Sequence, residues 1–233
     1  MTTPMKSMKN QQSGFTLVEI AIVLVIIGLL LGGILKGQEL INSAKVKNLA
    51  QDFKTVPLYI YGYQDRFKAL PGDDKNATTN LATIPPNAAV KDGLGNGVIN
   101  GPWNSVTLAD ESVQFWLAVR MANFAPGSTD FTTNLVGSLP NNVDGGRIGI
   151  TSNTTGTGGT APVTGMTGTY AFCSSGLLGK YAKQLDTTLD DGKTDSGSIR
   201  VIANQTAVQT AAVSALANTA VDDATTYTVC MTF

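Results

Sequence analysis

The sequence contains no histidine. That single absence removes imidazole general bases, Ser-His-Asp and Cys-His constellations, and imidazole metal ligands. The residue inventory therefore gives an enzyme no support. Cysteine is nearly absent as well, with only Cys173 and Cys230. Neither sign of charge is in excess: 16 Lys and Arg stand against 17 Asp and Glu, for a formal net charge of −1. Such a balance exerts no general pull on nucleic acid or on anionic lipid.

What the chain does have is one long apolar run. From Phe15 to Leu35 the only charged residue is Glu19. As a helix rising about 1.5 Å per residue, the run spans roughly 30 Å, one hydrocarbon thickness. A carboxylate inside such a span costs about 2.5–3.5 kcal/mol on insertion scales, so Glu19 is expected to have a use and a partner. Lys6 and Lys9 precede the run and fit a cytoplasmic N-terminus, although Lys36, Lys45 and Lys47 follow it and weaken the asymmetry. Gly28, Gly32, Gly33 and Gly37 each cost about 1 kcal/mol against Ala in a helix, and let it unwind locally or approach a neighbour closely.

The string Gly14-Phe15-Thr16-Leu17-Val18-Glu19, followed by this run, resembles the N-terminus of type IV pilins and type II secretion pseudopilins. The resemblance covers about residues 9–40. It implies that a prepilin peptidase cuts between Gly14 and Phe15, that Phe15 becomes N-methylated, and that Glu19 is the assembly glutamate. A secretory signal places its apolar region before the cut; here that region follows it and is retained as an anchor. Many pilins carry a proline in the second half of the segment, where this chain has Gly32-Gly33. With the remainder exported, Cys173 and Cys230 would lie where disulfides persist, and a structural bridge between them is expected. For so long a loop the chain-entropy model gives roughly 4 kcal/mol.

Beyond the membrane run, Leu49, Phe53, Val56, Ile60, Tyr63, Phe67 and Leu70 recur at helical spacing, predicting a stripe that buries against a core. Pro57 should bend this helix near Thr55–Val56 without ending it, and Leu70-Pro71-Gly72 should stop it. Residues 71–105 read as a turn-rich surface connection, with Pro85-Pro86 and a short strand at Val98-Ile99. The stretch from Asp92 to Asn100 loosely resembles a calcium loop, but Leu94 offers no oxygen and a plain turn is the better reading. Thr107 to Asp110 has capping-box spacing and predicts a helix to about Phe124, its apolar face made of Val113, Trp116, Leu117, Met121 and Phe124, stopped by Pro126-Gly127. Strands are expected at Arg147 to Thr151, Thr169 to Cys173, Ile199 to Ile202 and Thr226 to Phe233. Ser174 or Ser175 should cap a helix ending near Leu189. Thr151 to Thr169 reads as an exposed low-complexity loop. For residues 204–224 helix and loop both stand.

A second resemblance covers about residues 170–202. Gln184 to Gly192, ahead of Gly197-Ser198-Ile199-Arg200, looks like a segment found in some pilin-like proteins. Some pseudopilins hold Ca²⁺ in this region. An oxygen site of Asp186, Asp190, Asp191 and Asp195 therefore stands beside the plainer reading of a solvated acidic turn, and no other cofactor is expected.

These readings converge on an α+β fold: a long N-terminal helix, half membrane-spanning and half amphipathic, packed on an antiparallel sheet. The expected organisation is a cleaved leader at 1–14, a transmembrane and fibre-core half at 15–36, an amphipathic half at 37–70, and a pilin-like head at 71–233. The function implied is a structural subunit of a type IV pilus or pseudopilus, with prepilin peptidase, other subunits and the inner membrane as partners. A minor tip subunit for adhesion or DNA uptake, or a membrane-anchored exported binding domain, are the alternatives.

Overall fold

The computed structural model describes residues 14, 16–81, 89–154 and 160–233. Residues 1–13 of the expected 1–14 leader, Phe15, the Pro85-Pro86 turn and the middle of the Thr/Gly-rich stretch, 155–159, lie outside the described residues. Helix α1 runs Leu17–Phe67 and is followed by the short α2 (Ala77–Asn80), α3 (Glu111–Met121) and the short α4 (Leu135–Ser138). Then come β1 (Ile148–Ser152), β2 (Tyr170–Leu178), α5 (Gly179–Leu189), β3 (Ile199–Ala203), a 3₁₀ turn at Asn218–Ala220, and β4 (Thr226–Thr232). The chain divides into two units, residues 1–43 and 44–233, and α1 contributes to both.

In the second unit the four strands form an antiparallel sheet in the order β1-β2-β4-β3. The helical stripe lies against it. Leu49, Phe53, Val56, Ile60 and Tyr63 are buried together with Val46 and Ala50, and Phe67 packs at the margin. Phe53 meets Phe172 of β2 edge to face, with ring centroids 4.9 Å apart; such pairs contribute about 0.5–1.5 kcal/mol beyond their buried area. The helix passes through Pro57. Two residues ahead of it, the Thr55 hydroxyl donates to the Gln51 carbonyl at 2.7 Å. The helix stops at Phe67 rather than Leu70, because Lys68 turns the chain at φ 56°.

The sheet is covered on both faces, which follows from the period of two along each strand. Phe172, Val201 and Val229 face the main core with α1; Cys173, Ile202 and Cys230 face a second cluster with Trp103, Val163 and Met166. This corrects the reading of Thr151 to Thr169 as an exposed loop. Ala161, Val163 and Met166 are buried, and Val163 bridges Val213 in parallel. Residues 204–224 carry no regular element except the 3₁₀ turn.

Helix α3 differs from expectation in three ways. It begins at Glu111, not at Thr107, because the Asp110 carboxylate is taken by the Ser105 hydroxyl and makes no cap bond. It ends at Met121, where Asn123 at φ 63° allows Phe124 N–H to reach the Val119 carbonyl at 2.9 Å and Asn123 N–H the Arg120 carbonyl at 3.0 Å. That is the Schellman arrangement, and it ends the helix before Pro126 is reached. Its whole circumference is buried, not one face. The polar side chains are accommodated by binding loop backbone. Glu111 accepts from Leu94 N–H (2.9 Å) and Asn100 N–H (2.8 Å), and Gln114 donates to the carbonyls of Ala89 (2.8 Å) and Leu108 (2.7 Å). Arg120 donates to the carbonyls of Ser128 and Ser138.

Two smaller expectations also fail. Val98-Ile99 forms no strand: Ile99 N–H donates to the Ser152 hydroxyl, not to a ladder partner. Ser174 and Ser175 cap no helix, because β2 continues to Leu178 through a bulge at which Gly176 adopts φ 73°. The helix that follows opens at Gly179.

Candidate functional site

Every large apolar side chain from Leu17 to Leu35 is exposed, from 45% at Ile27 to 91% at Leu17. A Cβ added at Gly28, Gly32, Gly33 or Gly37 would meet nothing within 4 Å. This part of α1 is long and apolar enough to cross a membrane, and its apolar surface is left uncovered by the described residues. In water that surface would be costly at about 25 cal/mol per Å².

The start of the helix has defined geometry. Thr16 N–H and the Thr16 hydroxyl each donate to Glu19 Oε2 at 2.8 Å, and Glu19 N–H donates to Thr16 Oγ1 at 3.3 Å. This is a reciprocal capping box with Thr16 at the cap and Glu19 three residues on. The signal, Thr-x-x-Glu ahead of an apolar run, is present in the sequence, but sequence reasoning assigned Glu19 only to a partner outside the chain. Gly14 is exposed, with open space around it. Residues 9–35 match the prokaryotic N-terminal methylation motif.

That motif is typical of prepilin- and pseudopilin-type proteins, and it covers the capping box and the exposed apolar run. A long N-terminal helix packed on an antiparallel sheet is consistent with a pilin-like α+β fold. No characterised protein and no solved structure gives a significant match to the chain.

Cys173 and Cys230 are bonded to each other. They stand directly opposite in the β2–β4 ladder, with Cα atoms 4.1 Å apart, and close 57 positions of sequence. Both are fully buried in the second cluster.

The four acidic side chains considered for an oxygen site, Asp186, Asp190, Asp191 and Asp195, have different surroundings. Among the described residues no three His, Cys, Asp or Glu side chains come together as a metal site. Asp190 Oδ2 accepts from Ile199 N–H at 2.7 Å, tying the turn to β3. Asp191 accepts from Lys193 N–H (2.9 Å) and from the Ser196 hydroxyl (2.9 Å), which holds its pKa below the usual carboxylate range. Asp186 is fully buried, and among the described residues no donor makes a well-formed hydrogen bond to either carboxylate oxygen, although the Gly192 and Lys193 amides are near enough to act on its charge. Burial pushes it up to about 6; the Gly192 amide offsets this in part, and the Asp190 and Asp191 charges add to it. Asp186 therefore sits on the inner side of α5, while Asp195 lies on the surface turn. On α1, Asp52 is likewise pushed up to about 6 by burial alone.

Proposed function

We propose that this chain is a structural subunit of a type IV pilus or of a type II secretion pseudopilus. The observation that supports the reading is the methylation motif at residues 9–35, which runs into a helix whose apolar side chains are left exposed by the described residues. In this reading residues 1–14 are the leader, 15–36 the membrane and fibre-core half, 37–70 the amphipathic half and 71–233 the head. Prepilin peptidase cuts between Gly14 and Phe15, and the new Phe15 amine is methylated. The precursor waits in the inner membrane with its N-terminus in the cytoplasm.

Assembly then exchanges lipid for protein around the same side chains. Each Leu or Ile that leaves water or lipid for a neighbour's surface keeps the roughly 1.5–3 kcal/mol of its burial, so extraction into a fibre need cost little. Glu19 pairs with the free Phe15 amine of a neighbouring subunit, which exists only after cleavage. Breaking such a buried pair typically costs about 3–5 kcal/mol, and its role is register more than net stability. The head, closed by its disulfide, forms the outer shell.

The test is fractionation. Cells are sheared or their pseudopili purified, and the fibre and membrane fractions are probed for the chain, alongside cells lacking the peptidase. The proposal expects the chain in fibres only when the peptidase is present. A processed chain that stays wholly in the membrane fraction while fibres form without it would contradict the proposal.

A further inference from the structure

We propose that the head carries a binding site for a small carboxylate with an apolar body, in the cavity built around Arg147. The site lies within the 44–233 unit and does not depend on the fibre reading.

The cavity has a volume of about 700 Å³. It opens where β2 leaves register between Ser174 and Leu177, and bulges of this kind recur beside binding sites because they stop the ladder and re-aim the chain. Gly146 and Gly176 are among the residues that line it. Gly176 has φ 73°, a conformation other residues adopt at a cost. Gly146 approaches so closely that a Cβ there would lie 1.8 Å from the Ser175 carbonyl oxygen.

Arg147 is half-buried and precedes β1 in the chain. Its hydrogen bond, from Nη1 to the Asn104 carbonyl, is long at 3.4 Å. Burial lowers its pKa, and no described Asp or Glu lines the cavity. Arginine stays charged nonetheless. No guanidinium nitrogen of Arg147 is buried without a partner, so the group stays accessible from the cavity, and its planar fork matches a carboxylate in a bidentate fashion. The surrounding amides do not compete for it. Asn104 donates to the Ala207 carbonyl (2.7 Å) and accepts from Gln209 N–H (2.8 Å), and Asn204 accepts from Gly176 N–H (2.9 Å).

The rim supplies the second half of the chemistry. Val106, Val136 and Val208 are 40%, 55% and 41% exposed, and all three line this cavity. One cation with an apolar rim suits a monoanion carrying a branched or aromatic group. It does not suit a phosphate, which would want further cations, or a cationic ligand.

The experiment uses the full chain in detergent micelles and follows backbone amide signals of Gly146, Gly176 and Ala207. The probes are N-acetyl-leucine, its uncharged counterpart N-acetyl-leucinamide, and acetate. The expected result is saturable shifts with N-acetyl-leucine, none that saturate with the amide, and much weaker binding of acetate. Arg147→Gln should weaken N-acetyl-leucine by about tenfold or more, the worth of a charge-assisted hydrogen bond. Val208→Asp changes an exposed residue, so it carries the test if Arg147→Gln fails to fold, and it too should weaken binding. Absence of saturable shifts with N-acetyl-leucine, equal binding of the amide or of acetate, or unchanged affinity in a folded variant would overturn the proposal.

Discussion

Thr16 and Glu19 satisfy each other: two donors of Thr16 meet one carboxylate oxygen of Glu19 at 2.8 Å, and the Glu19 amide returns to the Thr16 hydroxyl. The one acid of the apolar run is thus a local helix cap as well as the proposed intersubunit partner. The second carboxylate oxygen takes no part in this box, so the two roles need not compete.

The roles separate by substitution. Glu19→Gln keeps the capping box, which accepts Gln, but removes the charge. Glu19→Val removes both. If charge pairing governs entry into fibres, both variants are expected to be cleaved and both to be missing from sheared material. Fibre entry by the Gln variant at the wild-type level would leave capping as the role of Glu19 and sink the pairing.

The disulfide should matter to the head more than any single contact. Closing 57 positions is worth roughly 4 kcal/mol in the chain-entropy model. Replacing Cys173 and Cys230 together by Ser should lower denaturant stability by about 3–5 kcal/mol and expose the second cluster. Mass analysis of the exported protein after alkylation without reductant should show no added label. Two labelled thiols in the native protein would refute the bridge.

Asp186 should make stability depend on pH in an identifiable direction. Its folded pKa, about 6, lies above the ordinary aspartate value. The native state is therefore unpenalised while the group is protonated, and stability falls as pH rises through the folded value. Asp186→Asn removes that dependence. The variant's stability relative to wild type should rise by up to about 3 kcal/mol between pH 4 and pH 7. Denaturant melts across that range measure the difference, and a flat line would show that the carboxylate is solvated or paired.

Glu111 ties the long loop to α3. Glu111→Ala removes an acceptor from the Leu94 and Asn100 amides and from the Asn100 side chain. The cost should be about 1.5–3 kcal/mol, the worth of hydrogen bonds to a charged group at a part-buried site. Hydrogen exchange at Leu94 and Asn100 should quicken first; unchanged protection there would contradict the role.

How much of this could be read in the sequence varies by element, for physical reasons. The stripe from Leu49 to Leu70 and the strands around Cys173 and Cys230 were legible because burial on one face imposes a period on the residues. The presence of helix α3 was legible too, but its burial on every side was not, because its polar residues are satisfied by loop backbone far away in sequence. Neither was the second cluster: Thr and Gly composition says loop, while Ala161, Val163 and Met166 within it are held under the sheet by long-range packing. Ser174 and Ser175 misled because Gly176 lets a strand bulge and continue where a helix cap was expected. The Arg147 cavity has no local signal, since the bulge, the two glycines and the valines come from distant segments.

The most direct measurement is the intact mass of the chain recovered from fibres of cells that have the peptidase. The account expects a species beginning at Phe15, with the mass of one added methyl group and one intact disulfide. A fibre-associated or mature chain that still carries Met1 to Gly14 would contradict it.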